Sequence, residues 1–121
     1  MSATADAFVA HCVELLSAFG HARAKHMFGG YGLYLDDLFI AIVAEGELFL
    51  KVDAHTRPQF EAAGCRAFVY SKAAQAISMG YWSAPEQATE SAALLRPWVQ
   101  LAQAAALRAR AGVKRRPRRV P

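Results

Sequence analysis

The sequence predicts an α+β fold in two layers, with helices on an antiparallel sheet in the order α-β(3)-α-β(2)-α. Three observations predict it. Apolar residues recur at helical spacing near both ends of the chain. Between Met27 and Val52 the period changes to two. The connections inside that stretch, Asp36-Asp37 and Glu45-Gly46, are of the short kind that joins antiparallel neighbours.

Each element follows from its residues. Ala5, Phe8, Val9, Cys12, Leu15, Leu16 and Phe19 form one apolar helical face between about Thr4 and Phe19, and Gly20 stops that helix. Three strands are expected at Met27 to Leu35, Leu38 to Ala44 and Glu47 to Val52. A short helix then opens with Thr56 as N-cap and Pro58 in its first turn, where a missing N–H costs little, and it ends at Gly64. A second hairpin pairs Arg66 to Tyr70 with Ala76 to Trp82 across Ser71 to Gln75. The last helix spans about Ser91 to Ala111, with Leu94, Leu95, Trp98, Leu101 and Leu107 as its apolar stripe. Pro97 either kinks it or marks where regular helix begins.

Strict alternation through the middle hairpin assigns its two faces. With Glu45-Gly46 as the turn, Val43 opposes Leu48 and Ile42 opposes Phe49. One face then carries Phe39, Ala41, Val43, Leu48, Leu50 and Val52; the other carries Leu38, Ile40, Ile42 and Phe49, interrupted by Lys51. Helices on one side need only one apolar face. The second face wants a cover too, either another helix of the chain or a second subunit. Leu38, Ile40, Ile42 and Phe49 are therefore the candidate interface, and a homodimer is the simplest arrangement.

A length of 121 residues suits one domain. The domain is expected over residues 1–111, followed by a basic, disordered tail over residues 112–121. The apolar share of 55% is high for that size and suggests apolar surface set aside for a partner. The net charge of +4 is a property of the tail: five cations lie between Lys114 and Arg119, whereas the preceding residues hold nine cations against ten anions. Lys114, Arg115, Arg116, Arg118 and Arg119 are the candidate nucleic-acid contacts, because clustered cations engage phosphates without reading bases. The start of the chain does not read as a signal peptide, and no apolar run reaches the length of a membrane span. The two cysteines form no close-spaced pair. A cytoplasmic location is the expectation.

Residue types that carry chemistry are scattered. The glycines of the 27–34 segment MFGGYGLY are followed by no Gly-Lys-Ser/Thr, so a bent or bulged strand explains them better than a phosphate loop. His11, His21, His26 and His55 show no metal-ligand spacing among themselves or with cysteine, and no metal or other cofactor is expected. Cys65 precedes Arg66, a cation of the kind that lowers a thiol pKa, but no base is spaced to partner it. Asp36 and Asp37 are explained by turn preference. Aromatic residues crowd the strands, where core packing competes with base stacking as their explanation. No catalytic residue is assigned.

Four segments together resemble a known family. MFGGYGLY (27–34), LFLKVD (48–53), FVYSK (68–72) and ISMGYWSAP (77–85) are similar to the N-terminal domain of the TfoX/Sxy family of bacterial competence regulators, over about residues 20–107. The resemblance implies the same α-β(3)-α-β(2)-α fold, similar to secretion chaperones. It also implies a non-enzymatic regulatory or adaptor role, since full-length members are positive regulators of DNA-uptake genes that act with a cyclic-AMP-responsive activator. Those members carry a second, helix-hairpin-helix-like domain beyond the point where this sequence turns basic. The working expectation is a regulatory domain that contacts a protein partner or itself. Nucleic-acid binding by the tail is the alternative, and a membrane is not expected as a partner.

Overall fold

Val9, Cys12, Leu15 and Leu16 recur in steps of three, three and one, which puts them on one side of a helix, and all four are buried. They belong to α1 (Ala3–Leu16). The structure is a computed structural model and describes residues 3–27, 30–72 and 75–115. Six strands follow in chain order: β1 (Ala22–Met27), β2 (Gly30–Leu35), β3 (Leu38–Ala44), β4 (Glu47–Lys51), β5 (Ala67–Lys72) and β6 (Gln75–Ser83). The helix α2 (Arg57–Ala62) sits between β4 and β5, and a 3-10 turn at Glu86–Glu90 leads into α3 (Ala92–Arg115). Every strand pairing is antiparallel, in the order β1-β2-β3-β4-β6-β5. The α+β class with an antiparallel sheet and the helix–strand order are those read from the sequence; the strand count is larger by one.

The added strand is β1, whose residues were assigned to no element except Met27; the strand expected from Met27 to Leu35 is represented by β2. Met27 pairs with Gly30, so the chain reverses between them and β1 lies beside β2. The connecting residues 28 and 29, with Gly29 of the glycine cluster, lie outside the described residues. Gly30 is required there. A Cβ on it would collide with the Val43 carbonyl oxygen of β3, so only glycine lets the two backbones approach. The next two reversals are as expected. Asp36, Asp37, Glu45 and Gly46 all have positive φ, the conformation of two-residue hairpin turns.

In the middle strand the expected alternation breaks. Tyr34 opposes Phe39 while Leu33 opposes Ala41, which leaves Ile40 as an extra residue in β3. Such a bulge turns two successive side chains toward the same side. Ile40 and Ala41 are both fully buried in the core beneath the helices, whereas Phe39 packs with Ile42 and Phe49 on the opposite face. This corrects the face assignment made by strict alternation. Leu38 and Ile40 belong with the helix-side core and Phe39 with the far side; Ile42 and Phe49 stay where the turn register put them.

One layer of helices covers one face of the sheet. α1 packs on β1 and β2, and α3 lies across β3 and β4. The buried residues of α3 are Leu95, Val99, Ala102, Ala105 and Ala106, while Leu94 and Leu107 remain about half exposed. Of the expected stripe, Leu95 is buried and Trp98 and Leu101 pack against the core, while Leu94 and Leu107 face out; Val99 and small alanines complete the seam and let the helix axis sit close to the sheet. Trp98 meets the fully buried Phe60 of α2 edge-on, with ring centroids 5.0 Å apart. Ser91 accepts a hydrogen bond from the Leu94 N–H at 3.2 Å and starts the helix, with Pro97 inside it. α3 continues to Arg115, past the expected boundary at residue 111. Residues 116–121, including Arg116, Arg118 and Arg119, lie outside the described residues.

Asp53 ties the last two helices together. Its carboxylate accepts hydrogen bonds from the backbone N–H groups of His55 and Thr56, at 3.0 and 3.1 Å, ahead of α2. Thr56 holds the expected N-cap position without making a capping bond; its hydroxyl instead accepts from the Asp53 N–H at 3.1 Å, and the Asp53 carboxylate closes the turn that leads into α2. The same carboxylate receives Nε and Nη2 of Arg108, at 2.6 and 3.0 Å. Chiefly through Arg108, its pKa is lowered to about 2.

Two outcomes follow for stability. Ile40→Ala should cost about 2–5 kcal/mol in urea unfolding, the range for truncating a fully buried aliphatic side chain, and more than Ile42→Val on the other face. Asp53→Ala should cost about 0.5–1.5 kcal/mol at neutral pH, the net worth of a typical intramolecular hydrogen bond. Because the folded pKa lies below the unfolded value of about 3.9, the stabilisation is complete above pH ~5 and disappears as pH falls toward about 2. Parent and variant should therefore converge in a pH series of melting temperatures.

Candidate partner-binding face of the sheet

The face turned away from the helices is built by alternate residues of the strands, and its chemistry is consistent from edge to edge. Arg23 comes from β1, Tyr34 from β2, Phe39 and Ile42 from β3, Phe49 and Lys51 from β4, Tyr81 from β6 and Phe68 from β5. Tyr34 and Phe39 are cross-strand partners with nearly parallel rings, 5.0 Å apart and 19° inclined. Phe39 continues to Tyr81 at 5.8 Å, and Phe49 meets Phe68 at 4.8 Å. Each such pair adds about 0.5–1.5 kcal/mol beyond the area it buries.

Cations close the outer surfaces of these rings. The Arg23 guanidinium lies 4.3 Å from the Tyr34 ring centroid, Lys51 Nζ lies 5.0 Å from that of Tyr81, and the Arg66 guanidinium lies 5.9 Å from that of Phe49. Arg23 is also 3.5 Å from Asp37, and Arg66 Nη1 donates to Glu47 Oε2 at 2.8 Å. Lys25 follows Arg23 by two residues on β1 and so lies on the same face. Ile42, Phe49 and Tyr81 retain 4%, 6% and 5% of their exposure. Burial pushes the Tyr81 hydroxyl up to about 12, with the neighbouring Tyr34 adding to the shift. The phenol is neutral at physiological pH.

This arrangement changes what the candidate interface residues can do. Ile42 and Phe49 are on this face, but rings and cations of the same chain already shield them. Leu38 and Ile40 are on the other side of the sheet, as the bulge requires. A partner would meet Arg23, Lys25, Lys51 and the partly buried Tyr34, Phe39 and Phe68, not the aliphatic centre. Alternation could not place Phe39, since nothing in Leu38-Phe39-Ile40-Ala41 announces a bulge; the aromatic residues at 34, 39, 49, 68 and 81 were the available signal. Of the tail candidates, Lys114 and Arg115 end α3, and the rest lie outside the described residues.

Other chemistry-bearing residues are committed to structure. An open groove of about 660 Å³ at one end of the sheet is lined by Gly46, Glu47, Cys65, Arg66 and Ser83 among others. Burial pushes the Cys65 thiol up, and a hydrogen bond with Ser83 offsets this only in part. The activating role open to Arg66 from its place in the sequence is not realised, because its guanidinium is turned to Glu47. Cys12 is fully buried and its thiol is raised to about 12. His11 Nε2 lies 2.7 Å from the Thr89 carbonyl oxygen, joining α1 to the 3-10 turn. Among the described residues no three His, Cys, Asp or Glu side chains are grouped to hold a metal ion, and no helix is long and apolar enough to cross a membrane.

Comparison with known proteins agrees with this architecture. Residues 14–106 match the family described as TfoX N-terminal domain. The chain is 28% identical over 81 residues to the DNA transformation protein TfoX1 of Aliivibrio fischeri. That stretch is 67% of this chain and 39% of the relative, so the chain spans well under half of that protein's length. With the match covering all six strands, α2, the end of α1 and α3 as far as residue 106, the chain belongs to the TfoX N-terminal domain family.

Proposed function

We propose that this chain is a non-enzymatic regulatory or adaptor domain in competence-related regulation, and that it acts through protein contacts made by the outer face of its sheet. The observation that carries the reading is the cation-covered aromatic face. Tyr34, Phe39, Phe49, Phe68 and Tyr81 are assembled on the side that the helices leave open, with Arg23, Lys51 and Arg66 over them. A face whose apolar centre is already shielded needs no cover for solubility. Its arginines and ring edges nevertheless resemble the aromatic and Arg-rich composition of contact surfaces. Family membership supplies the process, since the relative it matches is named for DNA transformation.

Nucleic-acid binding remains as a second reading because of one feature, the five cations between Lys114 and Arg119. The sheet itself supports that reading less. Bases stack on open ring faces, and the Phe49 and Tyr81 rings are buried to within 6% of full cover, with cations on them.

Two measurements separate the readings. Deleting the gene in its host should lower transcripts of DNA-uptake genes, and the restored chain should return them; unchanged transcripts would remove the regulatory reading. A band-shift titration of the purified chain with duplex DNA at low and moderate salt should show only weak binding that vanishes as salt rises. Tight binding that persists in salt and is lost when the five tail cations become alanine would favour the second reading.

A further inference from the structure

Among the described residues the sheet has two unpaired edges, and they are not alike. β1 forms one edge and β5 the other. Each leaves a row of backbone N–H and C=O groups that only another strand can satisfy in register, and proteins guard such rows with charge. β1, of sequence ARAKHM, carries Arg23 and Lys25, and its four central residues are all exposed. β5, of sequence AFVYSK, has its one charge at its last residue. Phe68 belongs to the outer aromatic cluster, and Val69 follows it where the pairing of β5 with β6 is irregular. The helices lie on β1 to β4, and Val69 remains 51% exposed. A β-branched residue is thus left in water on an unguarded edge of high strand propensity.

We propose that β5 pairs antiparallel with β5 of a second copy of this chain, joining two six-stranded sheets into one across a two-fold axis at Val69. Self-pairing fits this edge because it is complementary to itself. With the axis at Val69, that residue opposes the partner's Val69, and Ala67 opposes the partner's Ser71 without any charge between them. The nearest like charges, Arg66 and the partner's Lys72, meet only at the ends of the ladder, where Arg66 already has Glu47.

The guarded edge fails the same test. An axis at Ala24 sets Arg23 against the partner's Lys25, and an axis at Lys25 sets that residue against its own copy. Joining β1 of one copy to β5 of the next would leave free edges at both ends and grow without closing. The cations of β1 oppose that outcome, and β5 to β5 is the strand addition between copies that closes without setting like charges at its centre. It also places the outer faces of both copies side by side on one continuous surface. The inference does not depend on the regulatory reading, and either can fail without the other.

The test uses the full chain. Light scattering over a range of concentrations should give twice the chain mass, and Val69→Lys should give the single-chain mass with an unchanged melting temperature. As a second variant, Val69→Cys should form a covalent dimer under mild oxidation, since directly opposed Cβ atoms lie ~4.5–5.5 Å apart. Lys25→Cys on the other edge should not. A parent that stays monomeric at the highest concentration would overturn the inference. So would a Val69→Lys variant that remains dimeric, or cross-linking at Lys25→Cys without cross-linking at Val69→Cys.

Discussion

One extra residue in β3 decides what each face of this molecule is for. Because Ile40 is bulged, Ile40 and Ala41 both enter the core under the helices, and Phe39 is released to the other side. Had the strand alternated without interruption, Phe39 would press against α3 and Ile40 would stand among the tyrosines. The bulge lets one strand feed both a tight aliphatic core, packed against the alanines of α3, and an aromatic chain that crosses the sheet. Neither layer is possible in its present form without it.

The outer face then solves a problem common to sheets covered on one side only. Its aliphatic and aromatic centre is removed from water by its own rim: Lys51 and Arg66 lay their stems and charges over Tyr81 and Phe49, and Arg23 does the same over Tyr34. Each contact is individually small, about 0.5–1 kcal/mol where exposed. Together they leave a surface that is soluble alone yet presents cations held in fixed positions. Such preorganisation lowers the entropy lost when a partner binds.

Much of this was legible in the sequence, and the exceptions have physical causes. The turns at Asp36-Asp37 and Glu45-Gly46 fixed the pairings of Ile42 with Phe49 and Val43 with Leu48, because two-residue turns determine register. β1 was not legible: the residues it sends to the helix side include Ala22 and Ala24, too small to raise an apolar alternation above its charged neighbours. The bulge was invisible because all of Leu38 to Val43 is apolar, so a shift of face changes no residue class. Leu94 and Leu107 were misassigned for the opposite reason. On their part of α3 the sheet is met by Leu95, Val99, Ala102, Ala105 and Ala106, since close approach favours small side chains beside the few large ones.

The central claim is that the helix side is scaffold and the outer face is the working surface. Matched charge reversals on the two sides test it most directly. Lys51→Glu alters the outer face, and Arg110→Glu makes the same change on exposed α3. Both chains should stay folded, with Lys51→Glu melting a few degrees lower for the lost Tyr81 contact, and transcripts of DNA-uptake genes in a host carrying each variant should fall for Lys51→Glu alone. Equal transcript levels for the two variants, or a loss confined to Arg110→Glu, would contradict the account.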